Sequence, residues 1–254
     1  ALRVLHRVGA QHFTLAAGHT VPAISLYLDV APDLRLLGHE TRMERVPVVA
    51  NLRHHDIEPV FNEQTLAEGG PAFAYKRELT LLWEFAAVLE AGRGKPATNQ
   101  QNAEYSFYVD WTEPEGRIDI VERRRGSPLD KLVAELMIVA NATWGKLLAE
   151  AQVAAIYRVQ GNGKVRMTTS PLPHDGLGVA QYAWSASPLR RYVDLVNQWQ
   201  IVACAKNGRT AALAAPFKPK DAELFAVISN FDTAYSTYNG FQSGIERYWT
   251  LRYL

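Results

Sequence analysis

Apolar and polar residues alternate in two stretches near the start of the chain. Residues 21–30 (VPAISLYLDV) and 43–52 (MERVPVVANL) carry apolar side chains at every second position, as strands with one buried face do. Residues 31–41 between them contain Pro32 and Gly38, which are typical of a connecting segment. The pattern therefore predicts a pair of strands joined by this segment.

Four longer segments place apolar residues three and four positions apart, which is the spacing of one helix face. The spacing predicts helices over 75–92, from Pro128 to about 148, from Pro188 onward, and from about 221 to 253. Ser127 and Ser187 are the expected N-caps of the second and third helices. The apolar positions of the last two helices are Leu189, Tyr192, Val196, Trp199 and Ile201, followed by Leu224, Phe225, Ile228, Phe231, Tyr235 and Tyr238.

Short β-forming segments separate these helices. Residues 105–111 and 116–122 predict a hairpin, and residues 154–160 (AAIYRVQ) predict one further strand. A loop rich in proline and glycine, 170–178, leads into the third helix. Because strands are concentrated early and helices late, the chain is expected to be an α+β protein, with antiparallel strands and long helices packed on them.

Composition narrows the class of protein further. The chain has 254 residues, 48% of them hydrophobic, with a formal net charge of +1, so any binding of anions must be local. The single cysteine, Cys204, excludes a disulfide framework and a cysteine-rich zinc site. We find no stretch of roughly 18 apolar residues and no signal peptide, so a cytoplasmic protein with no membrane partner is expected.

Two arginines occupy an unusual position in the third predicted helix. Arg190 and Arg191 fall in its first turn, where the helix dipole disfavours cations by roughly 0.3–1 kcal/mol per charge. A phosphate bound at this helix start would reverse that penalty, because guanidinium groups and free backbone N–H groups would both face it. The alternative is an ordinary surface ion pair between Arg190 and Asp194.

The residues around these arginines resemble the RNB catalytic domain of the RNase II and RNase R exoribonucleases. The segment 174–198, HDGLGVAQYAWSASPLRRYVDLVNQ, has the motifs of that domain in the same order. Residues 127–150, 154–160 and 245–254 resemble the helix, strand and chain ending that accompany them in the family. The chain is therefore expected to adopt part of an RNB-type α+β fold.

That resemblance implies hydrolysis of single-stranded RNA from its 3′ end, with magnesium, to nucleoside 5′-monophosphates. By the same resemblance, Arg190 contacts the scissile phosphate and stabilises charge in the transition state. Glu246 is expected near the 3′-terminal nucleotide, and Glu135 is expected to bind sugar hydroxyls. Arg191 and Tyr192 belong to the same motif and are candidates for RNA contact, with a structural role as the alternative.

The aspartate cluster that holds magnesium in the family has no counterpart in this sequence. The first aspartate of the chain is Asp29, which lies inside a predicted strand. We expect residues 1–254 to be the carboxyl-terminal portion of one RNB-like domain, without the metal-binding segment or the flanking OB-type RNA-binding domains. The chain is then either part of an enzyme whose magnesium ligands come from elsewhere or a non-catalytic RNA-binding relative.

Smaller features complete the sequence analysis. Trp184 stands where the family often has histidine, and Phe61 or a neighbouring aromatic is a candidate for stacking on a base. Adjacent histidines in His54-His55-Asp56 cannot easily converge on one metal ion, so no metal site is expected there. The basic run at 122–126 is either a solvated loop or a contact to the RNA backbone.

Overall fold

The computed structural model describes residues 14–95, 103–112, 116–124 and 126–253. Its first element is an antiparallel pair formed by β1 (Thr20–Val30) and β2 (Leu36–Pro47). β2 begins inside the segment predicted to be the connection, so the linking turn is much shorter than expected. Leu34 makes this turn possible by adopting a positive φ of 63°.

Two further hairpins follow, so that each of the three two-stranded sheets in the described part of the chain is antiparallel. β3 (Ala103–Asp110) pairs with β4 (Arg117–Arg124), which confirms the predicted hairpin. The middle of its predicted turn, 113–115, and the arginine side chains of the basic run lie outside the described residues. β5 (Tyr157–Gly161) pairs with β6 (Lys164–Thr168) through a two-residue turn.

That last turn consists of Asn162 and Gly163, both with positive φ (52° and 76°). Asn-Gly is the sequence pair that most strongly favours such a turn, because both residues tolerate left-handed backbone. The sequence analysis predicted β5 but not β6, although this dipeptide indicated the hairpin.

The helices of the described residues begin with two short ones, α1 (His54–Ile57) and α2 (Glu63–Glu68), followed by α3 (Lys76–Arg93) and α4 (Pro128–Glu150). The start of α4 is as predicted, since the Ser127 hydroxyl accepts the Asp130 N–H at 3.3 Å. After α5 (Tyr192–Asn207) come a 3-10 turn (Gly208–Thr210), α6 (Ala211–Ala214) and α7 (Ala222–Tyr253).

The prediction that a helix starts at Pro188 was wrong. Residues 188–190 form a turn, Arg191 is extended (φ −127°, ψ 115°), and the helix begins at Tyr192. Arg190 and Arg191 therefore precede α5 instead of occupying its first turn. Asp194 is the charged residue in that turn, where an acid suits the helix dipole.

The predicted apolar face of α5 was also wrong in part. Leu189, Tyr192 and Trp199 are exposed, whereas Val196 and Ile201 are buried as expected. Asp194, Asn197 and Gln200 replace apolar residues on the buried face. Their side chains bond backbone and side-chain groups of neighbouring segments, which satisfies the buried polar atoms of Asn197 and Gln200 and one carboxylate oxygen of Asp194.

Helix α4 forms the centre of the core. Leu129 and Leu132 pack with Phe61 and Leu79 near one end of α4, Ile138 with Ile156 and Trp184 in the middle, and Trp144 and Leu148 with Tyr157 and Ile201 near the other. The Trp144 indole N–H also bonds the Thr41 hydroxyl at 3.1 Å, which fastens β2 to this helix.

Length and composition would allow α4 to cross a membrane, contrary to the expectation that no segment qualifies. The helix nevertheless places Glu135 and Asn141 inside the protein, where both are buried and hydrogen-bonded. A helix that packs its hydrogen-bonded polar side chains against the rest of the protein in this way is a core helix.

Helix α7 is buried only near its start. Leu224 is fully buried, and Ile228 and Phe231 pack against the same cluster. Phe225, Tyr235 and Tyr238, which were predicted to be buried, are exposed. The helical spacing correctly predicted a buried apolar face at the start of α7. Among the described residues, little of the protein covers the second half of this helix.

Candidate functional site

A tight turn before α5 presents Arg190 to solvent. The Ser187 carbonyl accepts hydrogen bonds from the backbone N–H groups of Arg190 (3.2 Å) and Arg191 (3.0 Å). The Arg190 side chain is exposed and forms no ion pair with any described residue. Its guanidinium is therefore free to bind an anion from solution.

A buried ion pair holds this turn from below. The Arg191 guanidinium donates to Asp194 Oδ1 at 2.7 Å, and the two side chains are only 8% and 0% exposed. The same oxygen accepts the Ser187 backbone N–H at 2.8 Å. Burial raises the pKa of Asp194, while the hydrogen bond from Arg191 opposes this shift.

The Arg191 guanidinium also stacks on Trp184. Its central carbon lies 3.9 Å from the indole centroid, and that of Arg158 lies 4.7 Å from the same centroid. Phe231 and Tyr235 of α7 meet the indole edge-on, at 6.4 and 6.2 Å. Trp184 thus joins two arginines and α7 in one cluster, which cation–π attraction stabilises.

Amide side chains fix the segment that carries Trp184. The Asn197 amide donates to the carbonyls of Trp184 and Ile156, both at 2.8 Å, and its oxygen accepts the Ile156 N–H. The Asn141 oxygen accepts the Ser185 N–H at 2.9 Å. These buried bonds set the position of Trp184 and, through it, of Arg191.

Arg158 and His174 meet on the far side of the cluster. One guanidinium nitrogen of Arg158 lies 3.1 Å from His174 Nε2, and the imidazole packs edge-on to Tyr182 at 5.6 Å. Burial first, and the Arg158 charge second, lower the pKa of His174. The imidazole is therefore neutral, and we assign its proton to Nδ1 so that Nε2 can accept from Arg158.

Glu135 lies in a different buried pair. It is 1% exposed, and both of its carboxylate oxygens accept from the Arg93 guanidinium at the end of α3. Arg93 also donates to the Leu177 carbonyl. Burial raises the pKa of Glu135 and Arg93 opposes that shift. Glu135 therefore ties α3 and α4 to the loop around Leu177.

The remaining predicted contact residues are accessible. Tyr192 is 50% exposed and lies edge-on to Trp199 at 6.2 Å. Glu246, on the exposed half of α7, accepts a hydrogen bond from Gln242 at 2.7 Å. The structure brings Arg191 and Asp194 together beneath Arg190, whereas among the described residues Glu135 bonds Arg93 and Glu246 bonds Gln242 instead.

No group of three or more histidine, cysteine, aspartate or glutamate side chains among the described residues could hold a metal ion. His54 lies 3.2 Å from Glu58 and His55 lies 3.3 Å from Asp56, so these neighbours do not converge. The described residues thus do not fit a magnesium site. Phe61 is buried against Phe73, so the prediction that it stacks on a base was wrong, and stacking by a neighbouring aromatic stays a prediction.

The sequence analysis missed Arg93 and Arg158 as members of the site and gave His174 no individual role. Arg158 and His174 lie in segments that resemble the RNB domain, and that resemblance was the feature of the sequence that could have indicated them. No feature of the sequence indicated Arg93, because its partner Glu135 is 42 residues away along the chain.

Comparison with known proteins places these features in context. The RNB domain family model matches residues 6–168 and 163–207, which is most of the chain and includes Glu135, Arg158 and Arg190. Glu246 lies beyond the matched residues. No curated protein matches the sequence.

Three solved structures share the fold at low sequence identity. RNase R from Mycoplasma genitalium, in complex with double-stranded RNA, is 14% identical with a TM-score of 0.70 over 92% of this chain and 51% of its own. An active-site mutant of the Dss1 exoribonuclease from Candida glabrata is 17% identical, with a TM-score of 0.73 over 95% of this chain and 36% of its own.

The third structure is yeast Ssd1, described as a pseudonuclease, at 13% identity and a TM-score of 0.61 over 87% of this chain and 33% of its own. The chain thus spans about half of the RNase R chain and about a third of the other two. Structural likeness at this identity supports the fold.

Proposed function

This chain belongs to the RNB domain family, and we propose on that premise that it is part of a 3′-to-5′ exoribonuclease acting on single-stranded RNA. The products would be nucleoside 5′-monophosphates. The observation that carries the proposal is Arg190, an exposed and unpaired guanidinium on a turn that a buried ion pair holds in place. The RNase R structure that this chain resembles is a complex with double-stranded RNA, and this similarity supports RNA as the ligand.

Arg190 would act on the RNA backbone. A guanidinium donates two parallel hydrogen bonds to phosphate oxygens and stabilises the negative charge that grows there during hydrolysis. Holding the backbone of the turn in advance reduces the entropy lost when RNA is bound. Tyr192, exposed two residues along, offers an aromatic face to a neighbouring nucleotide.

The two glutamates would contribute differently. Glu246 is accessible and could accept a hydrogen bond from a ribose hydroxyl near the 3′ end. Both oxygens of Glu135 accept from Arg93, and the side chain is only 1% exposed, so a sugar hydroxyl could reach this carboxylate only if the residues that cover it moved. We therefore assign Glu135 to holding Arg93 and the loop around Leu177, with direct sugar contact as the alternative.

Magnesium would supply the activated water for hydrolysis in such an enzyme. Since the described residues offer no cluster of ligands for it, we derive no step through the metal. The role proposed for these residues is to bind and orient RNA, while the metal carboxylates would come from elsewhere in the protein.

A second candidate function is RNA binding without hydrolysis. It is favoured by the same lack of a ligand cluster among the described residues and by likeness to Ssd1, a pseudonuclease. Both candidates require the Arg190 turn to bind RNA, and they differ only in the chemistry that follows.

A time course on 5′-labelled single-stranded RNA, with magnesium or with EDTA, distinguishes the two. A ladder that shortens from the 3′ end, and that is abolished by EDTA and by Arg190→Ala, would establish the exoribonuclease. Intact RNA that the chain retains in a gel shift would establish the non-catalytic candidate for these 254 residues. RNA that is neither cut nor retained would contradict both.

A further inference from the structure

Arg158 carries a charge that no described acid neutralises. It is the second residue of β5, is partly buried, and makes a polar contact with the neutral ring of His174 at 3.1 Å. None of the ion pairs among the described residues includes it. Arg191, in contrast, is paired with Asp194. A guanidinium withdrawn from water without a counter-ion is energetically costly.

Its neighbours increase this cost. Arg158 and Arg191 both lie within 5 Å of the Trp184 ring centroid, so two like charges share one aromatic ring. Tyr182 and Tyr235 also interact electrostatically with Arg158, and neither is a carboxylate. Burial and the Arg191 charge lower the pKa of Arg158. The cluster therefore has one uncompensated positive charge.

Unused hydrogen-bonding groups nearby favour an anion as the missing partner. His174 Nδ1 and Arg191 Nε are buried without a hydrogen-bond partner, and both are donors in the protonation states assigned above. His174 and Arg191 are each more than nine-tenths buried. Asp194 Oδ2 is the unpartnered acceptor in this cluster, and the other oxygen of that carboxylate already accepts a hydrogen bond from Arg191.

We propose that Arg158 is a second phosphate-binding residue, which binds a backbone phosphate of single-stranded RNA beside the one held by Arg190. The inference rests on the proposed function. The phosphate would supply the negative charge that the Arg158, Trp184 and Arg191 cluster lacks. Arg190 adjoins Arg191 in the chain, and Arg191 and Arg158 contact the same indole ring, so one cluster connects the two proposed phosphate-binding residues.

The test measures the affinity of the full chain for a 5′-fluorescein-labelled oligouridylate of twelve nucleotides. Fluorescence anisotropy is followed as the chain is titrated into the RNA at several salt concentrations. Arg158→Gln is expected to weaken binding about tenfold at 0.1 M salt, the effect of one charge-assisted contact. It should also reduce the slope of log affinity against log salt by about 0.7, since one phosphate contact is lost.

Arg166→Gln is the matched control. Arg166 is an exposed arginine on β6, opposite Val159 in the same hairpin, and the substitution removes the same charge. It is expected to change the affinity less than about twofold, because an exposed charge is screened by salt. Equal effects of Arg158→Gln and Arg166→Gln would overturn the inference.

Arg158→Lys covers the case in which Arg158→Gln does not fold. Lysine keeps the charge but cannot form two parallel hydrogen bonds, so binding should weaken at least about threefold with an unchanged salt slope. Wild-type affinity in Arg158→Lys, with Arg158→Gln unfolded, would contradict a phosphate contact.

Arg190→Ala, measured alongside, separates this inference from the proposed function. If Arg190→Ala weakens binding and Arg158→Gln does not, the inference fails alone. If only Arg158→Gln weakens binding, the role of Arg190 fails and the inference stands. If the wild-type chain does not bind the oligouridylate, both are contradicted.

Discussion

Asp194 performs two tasks with one buried oxygen. It accepts from Arg191 at 2.7 Å and from the Ser187 backbone at 2.8 Å, so it connects both ends of the turn that carries Arg190. The Arg190 side chain takes part in neither hydrogen bond, but both bonds hold the backbone of the turn on which Arg190 lies. A surface arginine is in this way held in place by an ion pair that is itself buried.

Asp194→Asn should disturb the turn and the RNA site together. Loss of the buried charge leaves Arg191 uncompensated, so the free energy of unfolding should fall by about 3 kcal/mol. RNA affinity should fall in the wild-type background but not further in Arg190→Ala, because Asp194 acts through Arg190. Chemical denaturation and anisotropy on the wild type, the two single variants and the double variant measure both effects.

Asp175→Asn provides the control for charge. Asp175 is exposed in the loop before Trp184, and removing its negative charge should leave stability within about 0.5 kcal/mol and RNA binding unchanged or slightly tighter. Independent, additive losses of affinity in Asp194→Asn and Arg190→Ala would show that Asp194 does not position Arg190.

At this scale the sequence indicates single candidate residues but not the partners that the fold gives them. Resemblance singled out Arg190, Glu135 and Glu246, but the pairing of Glu135 with Arg93 needs two helices brought together by the fold. The stacking of Arg158 on Trp184 likewise joins residues from different segments. Periodicity is a local property and contains no information on such contacts.

Helix α5 is stabilised by polar residues on its buried face. Asn197 makes three hydrogen bonds to the backbone of Ile156 and Trp184, and Gln200 makes three to the backbone of Ala154 and Phe217. These segments have no regular ladder partner at those atoms. The amides therefore take the place that strand pairing would otherwise have.

Asn197→Ala should therefore be costly. It leaves buried carbonyl and N–H groups unpaired, and we expect the free energy of unfolding to fall by about 3 kcal/mol. Chemical denaturation measures it against Asn230→Ala, the same substitution at an exposed position of α7, which should change stability by less than about 0.5 kcal/mol. Similar small effects in both variants would contradict this role of Asn197.

Element boundaries were predictable where local chemistry decides them. Ser127 and Pro128 fixed the start of α4, and the structure confirms the cap. The start of α5 was not predictable, because the ion pair with Asp194 and the stacking on Trp184 draw Arg191 into an extended conformation. Tertiary contacts there outweigh the helical preference of Ser187 and Pro188.

The molecule as a whole combines three hairpins with helices packed around α4, and it matches the fold of RNB-family proteins. The described residues hold a basic, aromatic cluster around Trp184 but no metal-ligand cluster. The role proposed for the described part of the chain is RNA binding, without the metal ligands. Binding and hydrolysis are then separable properties.

The most direct test is the affinity of wild-type chain and Arg190→Ala for 5′-labelled single-stranded RNA across a salt series. We predict that Arg190→Ala binds about tenfold more weakly at 0.1 M salt, with a salt slope reduced by about 0.7. Superimposable curves for the two proteins, or no binding by either, would contradict the claim that the Arg190 turn binds the RNA backbone.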